Sequence, residues 1–175
     1  MSSVVDSYSE SNYAVDTVFG VSYPKYGQSF TANGSILDSA EFYLKTTGSS
    51  TGNVTATIYA HDGGTFGSTG LPTGTALATS DTFDVSALTT SNALITLTFT
   101  GANRITLTNA THYFVILEGT TAGNFIYIGI DNTSPTAAGN LARDDGTGWS
   151  TTSNDVIFYV YGDVSFTSPF PTFFR

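Results

Sequence analysis

His61-Asp62-Gly63-Gly64 sets an imidazole beside a carboxylate, a pairing that can be poised for proton transfer near neutral pH. Neighbouring strand residues point to opposite faces, however, and the following Gly-Gly is turn chemistry, so the same residues read as a strand end turning back. His112 opens the segment HYFVILE, and with 2 histidines in the chain a His-rich metal centre cannot be built. Capping or packing is the expected role. The serines form no Gly-x-Ser-x-Gly elbow. Glu10, Glu41 and Glu118 sit in unrelated contexts, and no Asp pair has a spacing that predicts two carboxylates facing across a glycosidic bond. The chain is therefore expected to be a non-enzyme with no catalytic residues.

Two loops carry binding chemistry. Asp131-Asn132 and Asp144-Asp145-Gly146 place hard oxygen ligands where calcium could sit, although neither follows the EF-hand pattern. The competing reading is that these Asp and Asn side chains cap their own turns, leaving no metal site. Trp149, the single tryptophan, lies in DDGTGWS beside the second of these loops. With Asp144, Asp145 and Asn154 it forms a candidate ligand patch, in which the ring stacks on a sugar and the polar groups take hydroxyls. Alternatively the indole is a plug closing one end of the fold. Asn-x-Ser/Thr triplets at Asn33, Asn53, Asn109 and Asn132 match the glycosylation acceptor pattern, but chance suffices in a chain so rich in Ser and Thr.

Composition narrows the partners. Charged residues make up 11% of 175 residues and the net charge is −9, so polar surface must come from Ser, Thr, Asn and Gly. Lys25, Lys45, Arg104, Arg143 and Arg175 are the only fixed cations, too few for a phosphate-neutralising patch, which argues against nucleic acid and anionic membranes. Without cysteine, neither disulfides nor thiolate metal sites can form. No stretch approaches the roughly 18 apolar residues of a membrane span, and the opening MSSVVDSYSESNYAVD lacks the pattern of a Sec-type signal peptide.

The elements that must position any site are strands. In AEFYLK, Ala40, Phe42 and Leu44 alternate with polar or amphipathic neighbours; in NVTATIYA, Val54, Ala56, Ile58 and Ala60 do so; in ALITLTFT, Ala93, Ile95, Leu97 and Phe99. HYFVILE (112–118), NFIYIGI (124–130) and DVIFYVYG (155–162) are apolar on both faces and predict central or covered strands. Turn-rich stretches separate them at 47–53, 61–74, 132–140 and 143–155. The predicted fold is all-β: one antiparallel β-sandwich, jelly-roll-like, over 24–163, with an N-terminal extension (1–23) and an aromatic C-terminal arm (164–175).

Several short stretches in this order carry a resemblance: Gly27-Gln28-Ser29-Phe30, Gly52-Asn53, Ile58-Tyr59-Ala60, Pro72-Thr73-Gly74 and Thr111-His112-Tyr113. From about residue 26 to 163 the chain resembles a jelly-roll-like β-domain of bacteriophage virion proteins and of bacterial choice-of-anchor surface proteins. The resemblance implies a structural module of an extracellular particle or surface. Lack of a sorting signal or anchor favours the phage version. The arm SFTSPFPTFFR supplies the expected grip: Phe166, Phe170, Phe173 and Phe174 would contribute on the order of 6 to 12 kcal/mol on burial, at about 1.5 to 3 each. They could close their own domain, swap onto a sister subunit or insert into a larger lattice. The leading expectation is a capsid decoration protein or other head or tail surface subunit, binding virion proteins, homo-oligomeric and located on the virion surface. The alternative is a carbohydrate- or receptor-binding module using the Trp149 patch.

Overall fold

The computed structural model describes residues 1–20 and 22–163; the arm 164–175, with Phe166, Phe170, Phe173 and Phe174, lies outside the described residues. The strands are β1 (Ser2–Tyr8), β2 (Val15–Phe19), β3 (Lys25–Thr31), β4 (Ile36–Thr46), β5 (Ser50–His61), β6 (Pro72–Thr79), β7 (Phe83–Asp84), β8 (Ala93–Thr98), β9 (His112–Gly123), β10 (Ile126–Asp131), β11 (Leu141–Asp144), β12 (Trp149–Thr152), β13 (Asp155–Val156) and β14 (Phe158–Asp163). The first sheet runs β1-β14-β4-β10-β13, with β2 on β10 and β8 on β4; the second runs β12-β11-β3-β9-β5-β6, with β7 on β5. Every pairing is antiparallel. The chain is an all-β sandwich.

Strand periodicity places the core between the sheets. Ala40, Phe42 and Leu44 of β4 and Phe158 and Val160 of β14 face Tyr26 and Phe30 of β3, Val54, Ala56 and Ile58 of β5, and Tyr113, Val115 and Leu117 of β9, all of them buried. A polar bridge from β3 to β13 crosses this interior. Gln28 Nε2 donates to Asp155 Oδ1 at 2.7 Å, the Val156 N–H donates to Gln28 Oε1 at 3.0 Å, and the Ala137 N–H donates to Asp155 Oδ2 at 2.9 Å. Burial pushes the Asp155 carboxyl up, against the lowering effect of the hydrogen bonds from Gln28 and Ala137. Close strand approach also constrains β3, where a Cβ on Gly27 would lie 2.0 Å from the Val115 carbonyl oxygen.

The N-terminal extension expected over 1–23 is corrected by the structure. Residues 2–8 are an edge strand on β14, and residues 15–19 pair with β10 from Ile126↔Phe19 to Ile130↔Val15. Tyr8 is 6% exposed and Phe19 fully buried; the Tyr8 hydroxyl donates to Asp131 Oδ2 at 2.8 Å. Exposed Ser and Val beside half-buried Asp hide the alternation that a half-buried strand shows. The stretch 143–155, read as one loop, likewise contains β11's end and all of β12. Its Asp and Gly residues form the tight turn between them, with Gly146 at φ +90°.

Deleting residues 1–23 removes the burial of Tyr8 and Phe19, about 3 to 6 kcal/mol, which is comparable with the whole stability of an ordinary domain, about 5 to 15 kcal/mol. The shortened chain is expected to lose its cooperative thermal transition in circular dichroism. A melting temperature equal to that of the full chain would refute the assignment of these residues to the sandwich.

Candidate functional site

The outer face of the second sheet is built by register. Tyr26, Leu117 and Ala56 point into the core, so their neighbours Lys25, Glu118 and Thr55 point outward. Cross-strand pairing continues this line through Trp149↔Asp144, Asp144↔Lys25, Lys25↔Glu118 and Glu118↔Thr55. Beside the row, β9 turns Phe114 and Ile116 outward as well. They form a second apolar cluster with Tyr59 and Ala142, against which Trp149 packs half-buried.

Trp149 is thus neither an open platform nor a plug at the end of the sandwich. Its ring meets Tyr59 edge-on, with centroids 5.9 Å apart. Lys25 Nζ lies over both rings, 5.5 Å from Tyr59 and 5.6 Å from Trp149. The same ammonium pairs with Glu118 Oε2 at 3.5 Å and donates to the Tyr59 hydroxyl at 3.4 Å. Burial and then Glu118 push the Tyr59 phenol up; for Lys25, burial lowers and Glu118 raises, and the pairing wins. Glu118 Oε1 is buried without a hydrogen-bond partner.

The predicted patch is only partly assembled. Asp144 stands directly across from Trp149, and Asp145 begins the same turn. Asp144 Oδ1 accepts from the Gly146 N–H at 2.7 Å, while Asp145 Oδ1 accepts from the Thr147 N–H and hydroxyl at 2.9 and 2.6 Å. These carboxylates cap their own turn. Asn154 lies beyond the other end of β12, in a separate cleft lined by Gly67, Pro135, Ala137, Asn140 and Asp155. The β12 strand holds it apart from the indole. The Asp131 loop is occupied in the same way, with Oδ1 accepting from Thr133 and Ser134 and Oδ2 from Tyr8; these hydrogen bonds hold the carboxyl down to about 2. Among the described residues no three His, Asp or Glu side chains converge as a metal site.

A groove of about 390 Å³ lies on the other side of Lys25, lined by Pro24, Lys25, Asn53, Thr55, Thr82, Glu118, Gly119 and Thr120. Sequence reasoning missed it because its walls come from four separated segments. The available signal was the double apolar character of β9, which requires outside cover and so brings distant segments together there.

The remaining cover comes from the loop 62–70. His61, with a side chain 6% exposed, stacks on Phe114 at 5.5 Å, and Phe66 stacks on His112 at 3.8 Å. His112 also shares a 3.2 Å hydrogen bond with Thr31. The Gly63 N–H donates to His61 Nδ1 at 3.1 Å, which leaves the ring proton on Nε2, a buried atom without a partner. Asp62 Oδ1 caps the turn by accepting from Gly64 and Leu71 at 2.9 and 3.0 Å. The turn reading of His61-Asp62-Gly63-Gly64 therefore describes the geometry, and the two histidines pack as aromatic rings.

No family model, curated protein or solved structure matches the chain.

Burial lowers the His61 pKa from 6.5, with Asp62 opposing and His112 adding to the shift. A lowered value means that the fold favours the neutral ring. Stability from this site is complete above about pH 6.5 and is lost as pH falls through the folded value. In urea titrations from pH 7 to 5, His61→Phe should keep the ring stack and show a smaller fall in midpoint than the native chain. An identical fall in both would remove His61 from the account. Trp149→Ala should cost about 2 kcal/mol, less than a fully buried aromatic.

Proposed function

We propose that this chain is a structural protein of a virion surface, a bacteriophage capsid decoration protein or comparable head or tail subunit, that joins a protein lattice through its C-terminal arm. The resemblance to jelly-roll-like domains of phage virion proteins suggests the setting. The observation that carries the reading is how Asp163, the last described residue, is held. β14 lies between β1 and β4, and its last residue, Asp163, is held by the Met1 ammonium at 3.2 Å and by Arg104, which also reaches Asp38 at 3.2 Å. The residue that precedes the four-phenylalanine segment in the sequence is thus tied to three parts of the sandwich, and a pull at Asp163 would be shared by both strands flanking β14.

A second feature agrees with protein contact. The outer face of the first sheet carries Tyr13, Tyr43, Tyr127, Tyr159 and Tyr161, all half-buried. Tyr13 meets Tyr43 edge-on at 5.5 Å, and Tyr159 stacks with Tyr161 at 5.9 Å. Their hydroxyls donate to Glu10 at 2.6 Å and Glu41 at 3.1 Å, and burial with these carboxylates pushes both phenols up to about 12. Rigid amphipathic tyrosines supply contact area at low entropic cost, as in many protein interfaces.

The test separates grip from folding. A chain ending at Asp163 is expected to keep its melting temperature yet lose its association with particles, or with itself in sedimentation. Unchanged association would refute the proposal, and a collapsed melting temperature would assign the arm to closing its own domain.

A further inference from the structure

We infer that the groove beside Lys25 binds an uncharged saccharide, a role independent of the lattice contact. Its floor is a grid set by strand pairing: Lys25, Glu118 and Thr55 in one cross-strand row, Thr120 and Asn53 in the next outward row. Such rows lie about 7 Å apart along the strands, with groups about 4.8 Å apart across them. Ammonium, carboxylate, amide and hydroxyls together offer donors and acceptors to hydroxyls spread around a ring. The Pro24 ring, the threonine methyls and the Lys25 stem supply the apolar surface that a sugar's C–H face requires. A volume of about 390 Å³ falls within the range of small-molecule sites, roughly 300 to 1,000 Å³.

Electrostatics select a neutral ligand. Lys25 is already neutralised by Glu118, and the chain's net charge of −9 repels sulfated, phosphorylated or sialylated glycans. The site is also preorganised. Lys25 is fixed from behind by the rings of Tyr59 and Trp149, and the Gly119 N–H donates to the Pro24 carbonyl at 3.2 Å, tying one wall to the floor. Trp149 is therefore a positioning residue acting through Lys25, and as the only tryptophan it reports on the site.

The experiment is a glycan array of neutral and acidic mono- to tetrasaccharides, followed by titration of Trp149 fluorescence with the neutral sugars retained. Neutral glycans are expected to bind in the micromolar to millimolar range and to change the emission. Asn53→Ala and Thr55→Val, at exposed and half-buried positions, should each weaken binding about tenfold while leaving the melting temperature unchanged. Should either variant fail to fold, Glu118→Gln provides the same comparison. Silence across the array, retention of acidic glycans alone, or undiminished binding by the variants would overturn the assignment. None of these outcomes bears on the arm truncation.

Discussion

Burial of β9 on both faces is the constraint from which the rest of the second sheet follows. Its inward residues Tyr113, Val115 and Leu117 join the core, while Phe114 and Ile116 turn outward and are still fully buried. Two outward apolar side chains in mid-sheet would be a standing cost in water, so other segments must cover them. The β11–β12 hairpin brings Trp149 from one side, and the end of β5 and the 62–70 loop bring His61 and Phe66 from the other. Asn140 locks this cover by donating to the Gly70 carbonyl at 2.9 Å, and Thr151 by donating to that of Ser68 at 3.1 Å. The groove and its ammonium are a by-product of that cover, since Lys25 can reach two aromatic rings only because they lie over the sheet.

Scarce charge is used economically and locally. Lys45 pairs with Asp16, Lys25 with Glu118, and Arg104 with Asp38 and Asp163, while the Arg143 guanidinium lies 4.2 Å from the centre of the Tyr23 ring. Among the described residues each of these four cations therefore fixes a place in the fold. The same economy governs the buried carboxylates. Asp131 and Asp155 are paired across β10 and β13, yet one is held low by donors around it and the other raised by burial. Pushing their ionisation apart relieves two acids that would otherwise repel each other.

Much of the architecture was legible in the chain. Ala40, Phe42 and Leu44 are buried as their alternation predicts, and the three segments apolar on both faces lie in β9, β10 and β13–β14. Thr57 and Tyr59 are buried although their alternation placed them on a solvent face, because the loop and hairpin cover that side too. The strands at 2–8 and 15–19 were not legible, since edge strands with exposed Ser and Val and half-buried Asp have no clean period. The candidate patch was half legible: Trp149 and Asp144 share a hairpin, while Asn154, only five positions from the indole, lies past the far end of the strand.

By itself the sequence determined that this is a strand-built, cysteine-free, acidic sandwich with an aromatic end, because alternation, turn residues and charge are local properties that each short stretch carries on its own. Tertiary structure alone decided that the N-terminal residues belong to the body, that Trp149 braces Lys25, and that Asn53, Thr55 and Glu118 share a groove. Those facts depend on which strands become neighbours, and cross-strand register is set by the burial of all faces together.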